Sequence, residues 1–213
     1  MRMGDKKVYD ISMTIEPSMP VYKNREELRP EISVISDFKK NQVYQSSISM
    51  NLHTGTHIDA PLHMIEGGES ADQLSLEQLY KHCKVLDLSG VDDGITDNDL
   101  KKTGLKIEED DFILLKTRNS FRDNPGEDFI FLKSSGADYF LERGISGVGI
   151  DSLGIERAQP GHPTHRSLLS KRVVLLEGLR LKGIEEGEYQ LVLLPLKIKG
   201  VEALPARAFL LSI

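Results

Sequence analysis

The chain of 213 residues contains no tryptophan and a single cysteine, Cys83. One cysteine excludes an intramolecular disulfide, and Met1 to Asp5 lead into a polar segment instead of the apolar stretch of a signal peptide. We therefore expect a cytoplasmic protein. Since no evident base lies near Cys83 in the sequence, a thiol nucleophile is not expected either.

Long apolar runs and clusters of basic residues are also missing. The longest apolar runs, such as Leu191 to Leu194, are far shorter than the roughly 20 residues of a membrane helix. A formal charge of −6 without basic clusters argues against nucleic acid or an anionic membrane as a principal partner. No Pro, Gly or Ser tract, charge block or repeat marks a linker, so residues 1–213 are expected to form a single domain.

Several catalytic and nucleotide-binding motifs are absent as well. No G-x-S-x-G elbow accompanies the many serines, which argues against a serine hydrolase. Gly147-Val148-Gly149 lacks the third glycine and the helix start of a dinucleotide loop, and Gly67-Gly68 lacks the lysine of a P-loop. The glycines in these segments are therefore interpreted as turn residues.

A motif rich in metal-binding residues occupies His53 to His63, which reads H-T-G-T-H-I-D-A-P-L-H. Imidazole and carboxylate together bind divalent metals, and a mixed nitrogen and oxygen shell suits Zn or Mn better than Ca or Mg. Gly55 and Pro61 make a helix improbable, so a tight loop should gather these side chains. In extended chain, His57 and Asp59 would point the same way and could bind one ion.

Two later segments carry further candidate ligands. Glu177 ends the apolar run Val173 to Leu176, which is typical of a buried strand, and a carboxylate buried there is costly without a cation or hydrogen-bond donors. His165 follows a turn-rich stretch and precedes a short apolar segment. His162 lies three residues away in the same loop, so the residues alone leave the choice between the two histidines open.

The hydrophobic pattern predicts a mixed α and β chain without regular alternation. Tyr44 to Leu52 alternates as a half-buried strand would, with Ile48, Met50 and Leu52 on the buried side. His82 is expected at an exposed helix end, after a helix that begins at the capping box Ser75-x-x-Gln78. The strands are predicted at Lys7–Ser12, Tyr44–Leu52, Val85–Leu88, Phe112–Lys116, Gly147–Ile150, Val173–Glu177, Gln190–Pro195 and Ala206–Leu211. The helices are predicted at Leu76–Lys81, Asp97–Lys102, Gly136–Arg143 and, as about one turn, Arg166–Ser170.

The motif from His53 to His63 resembles the signature of the metal-dependent cyclase or arylformamidase family, which includes bacterial kynurenine formamidase and isatin hydrolase. The resemblance continues in the same order along nearly the whole chain. The further matching segments are Asp10-Ile11-Ser12, Met19-Pro20, Gly149-Ile150-Asp151-Ser152, His165-Arg166-x-Leu168-Leu169, Glu177-Gly178-Leu179, Pro195-Leu196-Lys197 and Pro205-Ala206-Arg207.

Carried onto these positions, the resemblance implies two divalent ions per chain, Zn or alternatively Mn. It implies that His53, His57 and Asp59 bind one ion, and that Asp59, His165 and Glu177 bind the other. Asp59 suits the bridging position because a carboxylate has two oxygens. His63 resembles the catalytic histidine of the family. The implied architecture is a swivelling β/β/α domain, with a central barrel-like sheet flanked by helices, in a homo-oligomer, either a dimer or a tetramer.

The implied activity is hydrolysis of an amide bond. A metal ion lowers the pKa of bound water from 15.7 to about 7, so hydroxide could attack the carbonyl while His63 transfers the proton. The first expectation is an arylformamidase that converts N-formylkynurenine to kynurenine and formate in tryptophan catabolism. The alternatives are a hydrolase that opens a cyclic amide or lactone, as isatin hydrolase does, and a non-catalytic metal-dependent binding protein.

The aromatic part of a substrate pocket is the least defined feature of the sequence. Arylformamidases of this type commonly carry tryptophan near the amino-terminal segment, where this chain has Tyr22 instead. Phe38, Tyr44 and Phe121 could supply an aromatic wall, although each could equally be an ordinary core or surface residue. The residues that bind the substrate are therefore left open.

Overall fold

The computed structural model describes residues 2–124 and 126–213 and contains thirteen strands and four α-helices within these ranges. The strands are β1 Arg2–Met3, β2 Lys6–Asp10, β3 Glu31–Ser36, β4 Gln45–Ser49, β5 His57–Asp59, β6 Tyr80–Asp87, β7 Gly94–Ile95, β8 Phe112–Lys116, β9 Phe131–Leu132, β10 Gly147–Ile150, β11 Val174–Glu177, β12 Gly187–Pro195 and β13 Ala203–Ser212. The helices are α1 Leu76–Leu79, α2 Asp97–Lys101, α3 Ser134–Arg143 and α4 Pro163–Ser170.

Seven strands close into a barrel in the order β13-β12-β6-β8-β10-β11-β5, and β5 pairs again with β13. The β6–β8, β8–β10 and β10–β11 pairs are parallel, whereas the other four pairs are antiparallel. Closure removes the open edges that a flat sheet would expose. This mixed barrel flanked by helices confirms the predicted fold class.

The core has two layers because the central strands are buried on both faces. On β8, Phe112 and Leu114 belong to the cluster inside the barrel, while Ile113 and Leu115 pack in a second cluster with side chains of α3 and α4. Such strands read as continuous apolar runs, as expected for parallel strands covered on both faces. The second cluster fixes α4 against the outside of the barrel, where the candidate site lies.

The sequence correctly predicts most of the barrel strands, but it misassigns the segment around His82. The helix predicted at Leu76–Lys81 ends at Leu79, after the capping box that Ser75 and Gln78 do form. The chain then continues as β6, which pairs with both β8 and β12. His82 therefore lies on a barrel strand and not at a helix end. Pairing on both sides outweighs the local helix pattern.

The prediction of a half-buried strand at Tyr44–Leu52 is wrong in its burial and its length. The strand in this region, β4, pairs only with β3, and together they form a separate two-stranded hairpin. Both faces of this hairpin are exposed, and Ile48 is 53% exposed. The alternation of apolar and polar residues correctly indicates an extended backbone here. The strand is not half-buried because no other described element covers either face of the hairpin.

Helix lengths differ from the predicted ones at the amino-terminal ends. The third helix begins at Ser134 instead of Gly136, and the predicted turn at Arg166–Ser170 is an eight-residue helix that begins at Pro163. Gly144 closes α3 in the left-handed conformation, as predicted. Across the part of the chain that the structure describes, no helix has the length and apolar character needed to cross a membrane.

Candidate metal centre

The pairing of β5 with β11 creates one face of the site. His57 lies directly opposite Glu177, and Asp59 follows two residues later on the same face of β5. The Nε2 atom of His57 is 3.4 Å from Asp59 Oδ1 and 3.4 Å from Glu177 Oε2. His57 and Asp59 therefore point the same way, as the extended-chain argument predicted, but they do so from a short strand and not from a loop.

A turn before β5 brings His53 to this face. Asn51 Oδ1 accepts a hydrogen bond from the His53 backbone at 2.8 Å, and Gly55 has a left-handed φ of 72°. His53 Nδ1 then lies 3.0 Å from Asp59 Oδ1 without forming a hydrogen bond to it. The turn is packed tightly, because a Cβ atom at Gly178 would lie 2.2 Å from the Gly55 carbonyl oxygen. Gly178 thus allows close approach of this turn to the end of β11.

Helix α4 supplies a further imidazole of the cluster. His165 is 6% exposed, and its Nε2 atom lies 3.3 Å from Glu177 Oε1. His162 is exposed and stands at the N-cap of the helix with a left-handed φ of 54°. Of the two histidines that the sequence left open, His165 is the one within ion-pair distance of Glu177.

His63 lies at the end of a short 3-10 turn, Pro61–His63, and faces the same cluster. Its ring centroid is 4.3 Å from that of His53 and 5.8 Å from that of His165. Burial lowers the pKa of His63 below its ordinary value, although the charge of Asp59 acts in the opposite direction. The ring is therefore favoured in its neutral form beside the other imidazoles.

Asp59 is the residue on which the cluster converges. His53, His57 and Asp59 place ligand atoms within 4.8 Å of one another, and so do Asp59, His63 and His165. The second group contains His63 where the family resemblance implied Glu177. A third group joins Glu156, His162 and His165. The geometry therefore brings all six sequence-predicted residues together, but distance alone does not separate ligands from a neighbouring proton carrier.

The polar atoms of this cluster include three that lack any hydrogen-bond partner within residues 2–124 and 126–213. They are His57 Nε2 and both carboxylate oxygens of Asp59, each fully buried. Buried polar atoms are normally hydrogen-bonded, and an unpaired buried carboxylate is costly. His57 Nδ1 is 2.9 Å from the Gly55 carbonyl, so Nδ1 donates there and, in the neutral ring, Nε2 keeps a lone pair on the side of Asp59 and Glu177. These unpaired acceptor atoms fit a divalent cation.

The titration behaviour of the metal-free cluster supports the same interpretation. Burial alone would lower the pKa of His57, but the nearby carboxylates of Glu177 and Asp59 raise it to about 9. The pKa of His165 is raised to about 10, because the effects of Glu156 and Glu177 exceed the lowering caused by burial. Protons on these imidazoles balance the carboxylates in the metal-free chain, and a divalent cation would balance the same charges.

Sequence reasoning missed Glu156 and did not assign a role to Asp151. Glu156 is 3% exposed and lies 2.8 Å from His165 Nδ1. Asp151 is fully buried at the end of β10 and accepts hydrogen bonds from Thr117, Asn119 and Ser120. A carboxylate directly after a buried strand was the available signal for Asp151. Glu156 carried no comparable signal, since its partners come from a loop and a helix.

A cavity of about 270 Å³ opens beside the cluster. Tyr22, Arg25, Asn51 and Leu153 contribute to its wall, together with site residues such as His53 and His165. None of the three residues considered for an aromatic wall lines it. Phe38 and Tyr44 contact each other on the exposed hairpin, and Phe121 borders a different cavity. Tyr22 is the one aromatic side chain other than histidine that lines this cavity among the described residues.

Comparison with known proteins agrees with this geometry. A family model named Cyclase, described as "Putative cyclase", matches residues 9–157. The chain is 30% identical over 209 residues to a kynurenine formamidase of Erythrobacter litoralis, covering 97% of this chain and 94% of the relative. A structure titled as a predicted metal-dependent hydrolase from Bacillus stearothermophilus shares 48% identity, with a TM-score of 0.89 and coverage of 98% and 99%. Isatin hydrolase A from Labrenzia aggregata, bound to benzyl benzoate, shares 26% identity, with a TM-score of 0.86 and coverage of 98% and 94%.

Proposed function

Since the chain belongs to the cyclase family of metal-dependent hydrolases, we propose that it hydrolyses a small-molecule amide, with N-formylkynurenine as the first candidate substrate. The products would be kynurenine and formate, a step of tryptophan catabolism. The bond cleaved would be a carbon–nitrogen bond other than a peptide bond. The relative named kynurenine formamidase, matched over nearly its whole length, supports this choice of substrate.

One observation carries the proposal more than any other. Both carboxylate oxygens of Asp59 and the Nε2 atom of His57 are buried without a hydrogen-bond partner in the described chain, and they face two further imidazoles and a buried carboxylate. A divalent cation satisfies such a set of acceptors, whereas a purely structural cluster would contain donors.

We propose two ions per chain, zinc first and manganese as the alternative. His53, His57 and Asp59 would hold one ion, while Asp59, His165 and Glu177 would hold the other, with Asp59 between them. The mixed imidazole and carboxylate donors support these metals. Asp59 belongs both to the group with His53 and His57 and to the group with His63 and His165, which supports a shared position for its carboxylate. The 3.3 Å distance between Glu177 Oε1 and His165 Nε2 supports placing Glu177 on the His165 side.

When held by these residues, divalent ions would supply Lewis acidity at the carbonyl oxygen and would lower the pKa of a nearby water. The chain supplies the proton transfer. His63 is the group proposed to take a proton and pass it to the departing nitrogen, and its lowered pKa keeps the ring free to accept one at neutral pH. Tyr22 and Arg25 border the cavity in which the substrate would lie.

The alternative substrate is a cyclic amide or lactone. Two observations favour it: the structural similarity to isatin hydrolase A, and a pocket wall that has Tyr22 in a chain without tryptophan. The chemistry at the carbonyl is the same for both substrates, but ring opening releases no second molecule. An assay with both kinds of substrate therefore distinguishes them.

A homo-oligomer, either a dimer or a tetramer, is proposed on the basis of the β3–β4 hairpin. Large apolar side chains are about half exposed or more on both of its faces. They are Ile32, Val34, Ile35, Phe38, Val43, Tyr44 and Ile48. A monomer rarely exposes an apolar patch of this extent, and an isolated hairpin is marginally stable. Sedimentation velocity tests the proposal, since a single species of 23.9 kDa would contradict it.

Two further expectations stay predictions from the sequence. They are a single domain over residues 1–213 and a cytoplasmic location.

A substrate panel tests the proposed activity. Purified protein reconstituted with Zn or Mn is assayed against N-formylkynurenine, isatin and simple N-formyl aryl amines. Turnover of the formyl compounds alone supports the formamidase, and turnover of isatin alone supports the cyclic amide. Binding of metal without turnover of any amide or lactone would favour the non-catalytic binding protein instead.

A further inference from the structure

Glu156 lies in the loop between β10 and α4, and all of its acceptor positions are occupied. Its Oε1 atom accepts hydrogen bonds from Gln159 Nε2 at 2.8 Å and from the Thr164 backbone at 3.2 Å. Its Oε2 atom accepts from the His165 backbone at 3.0 Å and lies 2.8 Å from His165 Nδ1. A carboxylate offers about four lone-pair sites, so none is left for a cation. Although Glu156 is close enough to be grouped with two histidines as a metal-binding set, its bonding excludes it as a ligand.

The same carboxylate caps the helix that carries His165. The N-cap residue, His162, has a left-handed backbone and provides no side-chain hydrogen bond. The first backbone N–H groups of a helix have no partner within the helix and favour a negative charge nearby. Glu156 accepts from two of them, those of Thr164 and His165. The position of α4, and with it the position of His165, thus depends on a residue outside the helix.

The contact to the His165 ring also selects one arrangement of its protons. An ionised carboxylate only accepts hydrogen bonds, so the Nδ1 atom that faces Glu156 must carry a proton. In the neutral ring, Nε2 then keeps its lone pair, and this atom is 3.3 Å from Glu177 Oε1. Carboxylates that hold metal-binding histidines in this way typically change metal affinity by about 10- to 100-fold when removed.

We propose that Glu156 is a positioning residue that holds His165 with Nε2 directed at Glu177, and thereby sets the affinity of that half of the site for a divalent ion. The inference rests on the proposed function, in which His165 and Glu177 hold an ion. It assigns to Glu156 two coupled tasks, capping α4 and fixing the His165 ring. The two tasks are separable because only the second changes which nitrogen of the His165 ring carries the proton.

The test compares Glu156→Gln and Glu156→Ala with the wild type and with Thr96→Ala. Thr96 caps α2 with its own side chain, so its loss lowers the stability without altering a contact of His165. Zinc affinity is measured by competition with a chelator, and 15N NMR of the zinc-loaded proteins shows which nitrogen of the His165 ring carries the proton. Unfolding of the metal-free proteins in urea measures the capping effect.

We expect Glu156→Ala to bind one of the two ions about 10- to 100-fold more weakly and to lose the preference for a proton on Nδ1. Glu156→Gln should keep the Nδ1 proton, because its amide oxygen still accepts, while its affinity falls between those of the wild type and the alanine variant. Thr96→Ala should lose stability with unchanged zinc affinity. If Glu156→Ala does not fold, the weaker binding of Glu156→Gln carries the test.

The opposite results are equally distinct. Glutamine and alanine variants that unfold more easily, but keep wild-type zinc affinity and ring protons, would reduce Glu156 to a helix cap and overturn the inference. A wild-type chain that binds no zinc or manganese would contradict the proposed function itself. A Glu156→Ala protein that loses both ions equally would also contradict an effect confined to the His165 side.

Discussion

Asp59 and Asp151 are two aspartates at the ends of barrel strands that differ in almost nothing except their donors. Asp59 is 1% exposed and Asp151 is fully buried. Five hydrogen bonds reach the carboxylate of Asp151, from the backbone and side chains of Thr117 and Ser120 and from the amide of Asn119. Neither oxygen of Asp59 receives one from any residue in the described ranges.

This difference separates structure from function better than burial does. The donors around Asp151 replace the water that the carboxylate loses on folding, and they tie β10 to the 3-10 turn at Arg118–Phe121. Asp59 faces imidazole nitrogens at 3.0 Å and 3.4 Å that do not form hydrogen bonds to it. Positive charge balances such a buried carboxylate, from the protonated imidazoles in the metal-free chain or from a bound cation. The predictions below test whether the two aspartates behave as differently as their surroundings imply.

The largest effect is expected from Asp59→Asn. The substitution keeps the shape of the side chain but removes the charge and one acceptor oxygen that the two ions would share. Several kcal/mol of transition-state stabilisation should be lost, which corresponds to a fall in turnover of about 10³-fold or more. Elemental analysis should show less than one ion per chain.

The stability of the metal-free Asp59→Asn protein provides the second half of this test. Because no donor is hydrogen-bonded to Asp59, the free energy of unfolding without metal should fall only through the lost attraction to the protonated rings of His57 and His165, and by less than on loss of Asp151. A marked loss of stability in the metal-free variant, with normal metal content, would show that Asp59 is a structural residue like Asp151.

His63→Ala should give the next largest effect and sharpen the boundary of the site. Turnover should fall by about 10² to 10⁴, the usual contribution of a general acid and base, while two ions remain bound. His57→Ala provides the contrast, because removal of a ligand should reduce metal content and activity together. Loss of metal from His63→Ala would place His63 among the ligands, as its proximity to Asp59 and His165 allows.

Asp151→Asn should have a smaller effect, and on stability instead of chemistry. In the wild type, N–H and O–H groups of Thr117, Asn119 and Ser120 donate to the carboxylate oxygens of Asp151. In the variant, the NH₂ group of asparagine replaces one of these oxygens, so some of the buried donors lose their acceptor. We expect a loss of about 2 to 4 kcal/mol in the free energy of unfolding, measured in urea without metal. Zinc stoichiometry should remain that of the wild type. Loss of an ion with unchanged stability would reverse the assignment of the two aspartates.

The sequence could predict those parts of the site that depend on local periodicity. His57 and Asp59 share a face because side chains alternate along a strand, and Glu177 is buried because it ends an apolar run. Ser75 and Gln78 form their capping box from neighbouring residues. Each of these features depends on a few consecutive positions.

The hydrophobic pattern of the sequence could not predict features that depend on which strands pair. The segment at Tyr80–Asp87 becomes a strand because β8 and β12 bind it on both sides, and neither partner is visible from the local helix pattern. The sequence could not predict that the β3–β4 hairpin is exposed. Side chains alternate between the two faces of a strand whether or not another element covers a face. Asp59 and Asp151 look alike in the sequence because their donors, or the lack of them, come from distant residues.

The last prediction concerns the pH dependence of metal binding, and it applies to the Asp59 cluster alone. In the metal-free protein the pKa of His57 is raised to about 9 and that of His165 to about 10, from an ordinary value of 6.5. The protonated rings therefore stabilise the metal-free fold fully below pH 6.5, and this contribution is lost as the pH rises through 9 to 10. A metal ion must displace these protons, so zinc affinity should rise about tenfold per pH unit for each proton released between pH 7 and 9. Calorimetric titration in two buffers of different ionisation enthalpy counts the protons. Asp151→Asn should leave that count unchanged, and zinc uptake without proton release at pH 7 would contradict the charge balance inferred for the cluster.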